Sequence, residues 1–220
     1  MSGRILPLEV FTMSETYEFT LPVISNTANM QLADPSLVNF YRDLDNRIYW
    51  LNDEISNYTF DLVQYIIYWN KQDKGIPVEQ RKPIRLIIDC GGGNLSVSET
   101  VSNVIKMSKT PVYGMALGYV ASGGSLIYLS CHKKFALSNV VFVLHKGGCS
   151  GVSGTYDEIV AFARDYEKQM EMLIDFYIDN TTYTAEEIEE NIQTDWYIRI
   201  DEALEKGIVD EVIDDIDVFC

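Results

Sequence analysis

Positive charge, histidine and proline are scarce in this chain. Its 220 residues include two histidines, six prolines and four cysteines, and 33 acids stand against 17 lysines and arginines. The formal net charge of −16 argues against nucleic acid as a main partner, because phosphate binding needs clustered Lys and Arg. It also disfavours an anionic membrane surface. Cys90, Cys131, Cys149 and Cys220 form no CxxC pair, so neither a zinc site nor a disulfide framework is expected. Free thiols in a reducing compartment are the simpler account. No run reaches the ~18 uninterrupted apolar residues of a membrane span, and the first residues lack the apolar stretch and small-residue cleavage site of a secretory signal. A cytoplasmic protein with no metal or cofactor, no nucleic-acid partner and no membrane partner is therefore expected. The phosphate-loop patterns GxxxxGKS/T and GxGxxG are missing as well.

What is present is ample core material, with 47% hydrophobic and 12% aromatic residues. Residues 1–35 carry Pro7, Pro22 and Pro35 without a sustained period and read as an irregular N-terminal arm. Residues 36–215 read as one α/β domain, and 216–220 as a C-terminal tail. Helices are expected over 36–45, 58–72 (apolar face Phe60, Val63, Ile66, Ile67), 96–108 (capped by Ser96 or Ser98), 121–131, 155–180 and 201–206. Strands are expected over 47–51, 84–89, 110–117, 134–136, 140–144 and 208–213. Thr184 to Glu187 has the form of a capping box and opens a short helix. Lys74 to Pro83 reads as a surface loop. The units run two strands then a helix, with strands returning in parallel.

Three places hold candidate chemistry. Ser122, in GYVASGG, follows a strand and opens a helix, where free N–H groups and a positive dipole end would meet a developing oxyanion. A serine there is also a common helix cap. A base must come from His132 or His145. His132 precedes Lys133 and Lys134 and reads as a helix-terminal cation. His145 ends the most apolar strand beside a glycine-rich stretch, where α/β folds place active residues. Gly91 to Gly93 permits close backbone approach to a ligand, or simply a tight turn. Spacing alone does not single out Asp195.

Together these segments resemble the Clp protease proteolytic subunit family, from about Arg47 to Ile213. The motifs occur in family order: a strand into a Gly-Gly turn (IIDCGGGN), G-x-x-A-S-x-G (GYVASGG), an apolar strand ending in histidine (VFVLH), a long helix, then an acid before DEALEKGIVDEVI. The resemblance implies a ClpP/crotonase-like fold of repeated β-β-α units with a protruding long handle helix over about 155–180. It implies a serine endopeptidase acting on unfolded polypeptide, with Ser122 as nucleophile, His145 as base and Asp195 orienting the histidine. It implies the backbone N–H groups of Gly93 and Gly123 as oxyanion donors. Asn94, Leu95, Lys146 and Gly147, at the flanks of that site, would pair with an extended peptide. Implied partners are further copies, in one or two stacked heptameric rings, and an AAA+ unfoldase.

The chain departs from the family pattern at several positions. Lys146 and Gly147 stand for Gln and Pro, Thr194 for an arginine, and Arg85, Leu86 and Ile87 lack the docking-pocket tyrosines. Lys74 to Pro83 reads as an insertion, and the N-terminal arm is longer than usual. Two alternatives remain open. One is an acyl-CoA enzyme of the crotonase group, which shares the architecture and oxyanion hole. The other is a ring-forming scaffold with a silent site.

Overall fold

The computed structural model describes residues 34–149 and 151–218. The expected N-terminal arm, up to residue 33, and the last two residues of the tail lie outside the described residues. Helix α1 (Pro35–Asp45) begins where Asp34 accepts the Ser36 N–H at 2.9 Å, with proline in the first turn, where a missing N–H costs nothing. Then come β1 (Ile48–Leu51), α2 (Phe60–Gln72), β2 (Ile84–Cys90), α3 (Leu95–Met107), β3 (Val112–Ala121) and α4 (Gly123–Leu129). β4 (Lys133–Ala136), β5 (Val141–Leu144), α5 (Tyr156–Asn180), α6 (Ala185–Asn191), β6 (Trp196–Arg199), α7 (Ile200–Glu205) and β7 (Glu211–Val212) complete the order.

Among the described residues, seven strands form one sheet. β1, β2, β3, β4 and β7 lie side by side and parallel. β3 is the pivot. Its first half, Tyr113 to Ala116, pairs with β4, and its end, Tyr119 to Ala121, pairs with β5. β6 runs antiparallel to β5. The near-continuous apolar run of β2 suits a parallel interior strand covered on both faces.

The main core lies on the helical side of the sheet. Leu62, Ile66 and Trp69 of α2, Val97, Val101 and Ile105 of α3, all of α4, and Met170, Leu173 and Tyr177 of α5 are buried there. A smaller cluster, Ile87, Met115, Phe135 and Ile213, forms from strand residues and the chain just after β7.

Several expectations need correction. α2 buries Leu62, Ile66 and Trp69, whereas Ile67 is 58% exposed. The apolar arc of the helix is wide, bounded by Asp61, Gln64, Lys71 and Gln72 on one side, and within it the buried sector is the one that seats the large Trp69 ring. α3 is capped by Asn94, whose side chain accepts the Val97 N–H at 3.1 Å, and not by Ser96 or Ser98. β3 continues through Gly118 to Ala121, because β5 offers it a second partner. His132 is no helix-terminal cation. Its Nδ1 accepts the Val112 N–H at 3.0 Å, which requires that nitrogen unprotonated, and burial lowers its pKa. β6 was not expected at all.

Candidate active site

At the end of β3 the chain turns sharply through Ser122, a non-glycine residue at φ +53 and ψ −125. Backbone so placed costs about 1–3 kcal/mol and persists only where its surroundings over-determine it. Here the Ser122 N–H donates to Val143 of β5 at 3.0 Å, and the Ser122 carbonyl accepts from Ser125 and Leu126. The buried Ser125 hydroxyl reaches Val120 and Val143, tying the end of β3 to β5. The Ser122 side chain makes no capping bond, so this residue is not a conventional helix cap. The first N–H groups of α4, Gly123 foremost, have no carbonyl inside the helix to bond.

The glycine turn after β2 packs against this elbow. A Cβ on Gly92 (φ +100) would lie 2.6 Å from the Ser122 Cβ, and one on Gly93 (φ +148) would strike the backbone of Ile55. Ile55 and Gly93 form a parallel bridge, closed by Ile55 N–H to the Gly92 carbonyl and Asn94 N–H to the Ile55 carbonyl, both at 2.9 Å. Cys90 backs the turn. Its Sγ accepts the Gly92 N–H at 3.4 Å and lies 3.1 Å from the Asp53 carbonyl, to which the thiol donates. Burial raises its pKa, which keeps it a thiol and a poor nucleophile.

The antiparallel β5–β6 pair explains how an acid fifty positions away meets the histidine. The register sets Leu144 opposite Trp196. One step further sets His145 opposite Asp195, and His145 Nδ1 lies 3.1 Å from Asp195 Oδ1. Trp196 is held in turn by the Tyr183 ring, centroids 4.5 Å apart, and the Tyr183 hydroxyl donates to Glu202 at 2.7 Å. The other imidazole nitrogen, Nε2, is buried without a hydrogen-bond partner, so no bond joins it to the Ser122 hydroxyl in this conformation.

Ser122 and His145 line one pocket of about 280 Å³, together with Gly93, Gly123, Asn94 and Leu95. Lys146 and Gly147 line it as well, so every site residue expected from the sequence except Asp195 borders this space, and Asp195 reaches it through His145. The Asn94 side chain is committed to capping α3. The Lys146 N–H donates to Ile192 at 3.3 Å, and the Gly147 carbonyl accepts from the Tyr166 hydroxyl at 3.3 Å. Sequence reasoning missed the apolar wall, formed by Leu126, Met170 and Leu173, and the buried Tyr177. The Tyr177 phenol sits beside the His145 backbone N–H, and burial pushes its pKa well up. Among the described residues no group of three or more His, Cys, Asp or Glu side chains is placed to hold a metal, and no helix is long and apolar enough to cross a membrane.

The family model described as Clp protease matches residues 35–215, most of the chain. The chain belongs to the Clp protease family. Among its relatives, the ATP-dependent Clp protease proteolytic subunit 2 of Treponema pallidum (strain Nichols) is 30% identical over 179 residues, covering 80% of this chain and 87% of the relative. The ATP-dependent Clp protease proteolytic subunit of Paracoccus denitrificans is 28% identical over 138 residues, 62% of this chain and 69% of the relative. A solved structure of a ClpP1 mutant from Listeria monocytogenes superposes with a TM-score of 0.69 at 24% identity, covering 81% of this chain and 98% of that one. That likeness bears on the fold, a mixed α/β fold with a parallel sheet shared with the Clp proteases.

Proposed function

We propose that this Clp protease subunit is a serine endopeptidase acting on unfolded polypeptide. Ser122 Oγ attacks the scissile carbonyl. His145 Nε2 takes its proton and later protonates the leaving amine, while Asp195 accepts the Nδ1–H, fixes the tautomer and stabilises the imidazolium. The N–H groups of Gly93 and Gly123 hold the oxyanion, each such donor being worth typically ~10²–10³ in rate. The observation that carries this reading is the strained Ser122 elbow at the mouth of α4, sharing a pocket with a histidine whose far nitrogen rests on Asp195. With family membership shown, the peptidase reading takes precedence over the acyl-CoA one.

An extended substrate segment would lie along Asn94, Leu95, Lys146 and Gly147 by strand addition, a mode that reads main chain and tolerates many side chains. Enclosure in a heptameric ring, single or stacked, and feeding by an AAA+ unfoldase would keep so tolerant a site from folded proteins. These assembly statements are supported by the names of the relatives and by the unburied first half of α5.

The unpaired His145 Nε2 favours a second reading, a ring-forming homologue whose relay never closes. Labelling by a serine-reactive phosphonate separates the two. The peptidase reading expects covalent modification at Ser122 and loss of peptide hydrolysis in Ser122→Ala, with assembly unchanged. No labelling and no hydrolysis by the assembled protein would leave the scaffold.

A further inference from the structure

A second, smaller cavity of about 140 Å³ lies between α3 and α5. Leu126 and Leu173 line both this cavity and the pocket that holds Ser122 and His145, so the two spaces share a wall. Met172 and Phe176 complete an apolar collar, but the α3 side is polar: Glu99, Ser102 and Asn103. Ser102 is 2% exposed, and its hydroxyl is buried without a hydrogen-bond partner. A buried hydroxyl left unmet is costly and calls for an explanation. Glu99 has no ion pair or hydrogen bond among the described residues, and burial raises its pKa. Lys106, four positions beyond Ser102 on α3, lies 4.2 Å over the ring of Phe176, which lines the cavity.

The cavity is smaller than the roughly 300–1,000 Å³ that free small ligands occupy and is of the order of one side chain. A carboxylate, a hydroxyl and an amide oxygen above an apolar collar offer three acceptors and a greasy sleeve. Lysine brings three ammonium donors on a methylene stem. The planar five-donor fork of arginine asks for a wider, bidentate site.

We propose that this cavity is a substrate subsite for lysine, on the acyl side of the scissile bond, the side chains of Leu126 and Leu173 giving way to the stem and the ammonium meeting Glu99, Ser102 and Asn103. The proposal rests on the peptidase reading above and names its substrate class. Peptides identical except for Lys, Arg, norleucine or Glu at that residue test it. The wild type should cleave the lysine peptide with kcat/KM about tenfold or more above norleucine. Glu99→Gln should bring the two within about twofold by lowering kcat/KM for the lysine peptide, and Ser102→Ala should act in the same direction. Glu99 is partly exposed, so its near-isosteric change keeps the test independent of any folding defect at buried Ser102.

A binding arm uses Ser122→Ala and calorimetric titration with the lysine and norleucine peptides, with and without Glu99→Gln. Hydrolysis with no lysine preference overturns the subsite and leaves the peptidase standing. Lysine-selective binding that depends on Glu99, without hydrolysis by the wild type, upholds the subsite and removes the peptidase. Neither binding nor hydrolysis overturns both.

Discussion

Ser122 carries its side chain on backbone that L-residues rarely adopt, and the glycine pressed against it leaves no room for a methyl group. Gly92→Ala therefore tests the elbow without touching a reacting group. The added Cβ would lie 2.6 Å from the Ser122 Cβ at a φ of +100, so either the turn or the serine must move. We expect destabilisation of roughly 1–3 kcal/mol in urea unfolding and a fall in peptide hydrolysis of at least about 10². Full activity would mean that the serine position is not over-determined. His132 supplies a second residue-scale prediction. Burial depresses its pKa in the folded state, so below about 6.5 the unfolded chain binds a proton that the folded chain refuses. Its contribution to stability is fully present above pH 6.5 and is lost as pH falls toward the depressed value. In His132→Asn, where an amide oxygen can accept the Val112 N–H without titrating, unfolding free energies at pH 7.5 and 5.5 should differ less than in the wild type. An unchanged difference would assign the acid sensitivity to other groups.

At the scale of elements, much of the fold is legible in the sequence, because the local signals agree with one another. α5 spans Tyr156–Asn180 behind a Thr155–Glu158 capping box, within a residue of the expected helix, and the Thr184–Glu187 box opens α6 as read. β2 and β5 announce themselves as apolar runs. The face of α2 is legible only roughly, because its apolar arc is wide and the buried sector, Leu62, Ile66 and Trp69, is one part of it. β6 could not be read. Its four residues, Trp-Tyr-Ile-Arg, are too short to show a period, and only pairing with β5 makes them a strand. That missing strand is the physical reason Asp195 draws no attention from spacing and emerges only through resemblance. Contact between His145 and Asp195 is a property of register, held by Trp196 against Tyr183. Trp196→Ala should remove about 0.5–1.5 kcal/mol of ring pairing beyond its area and let the Asp195 end of β6 drift. The expected kinetic signature is a fall in kcat with little change in KM, since the peptide-pairing flank stays in place. A raised KM at constant kcat would point to the substrate edge instead.

On the scale of the whole molecule, a single copy leaves surfaces that its own core does not use. No residue of α5 before Met170 is buried, although Ile159 and Phe162 are large and apolar and still 43% and 40% exposed. On the sheet face away from the main core, Trp50 is 49% exposed beside a small strand-built cluster, where parallel sheets ordinarily have both faces covered. Further copies of the chain would cover both surfaces in the proposed rings. The net charge of −16 per chain opposes that association, so added salt should favour it by screening. Paired Ile159→Glu and Phe162→Glu substitutions isolate the α5 contribution. They add charge at exposed positions outside the buried core, with the stack of Phe162 on Tyr166 as the ring contact given up, so circular dichroism and urea unfolding of the subunit should change little. Native mass measurement should show stacked rings giving way to particles of half the mass, and raising the ionic strength should recover less of the larger species than in the wild type. Stacked particles unchanged by the double substitution would place the ring-to-ring contact elsewhere and leave the exposed stripe of α5 to another partner.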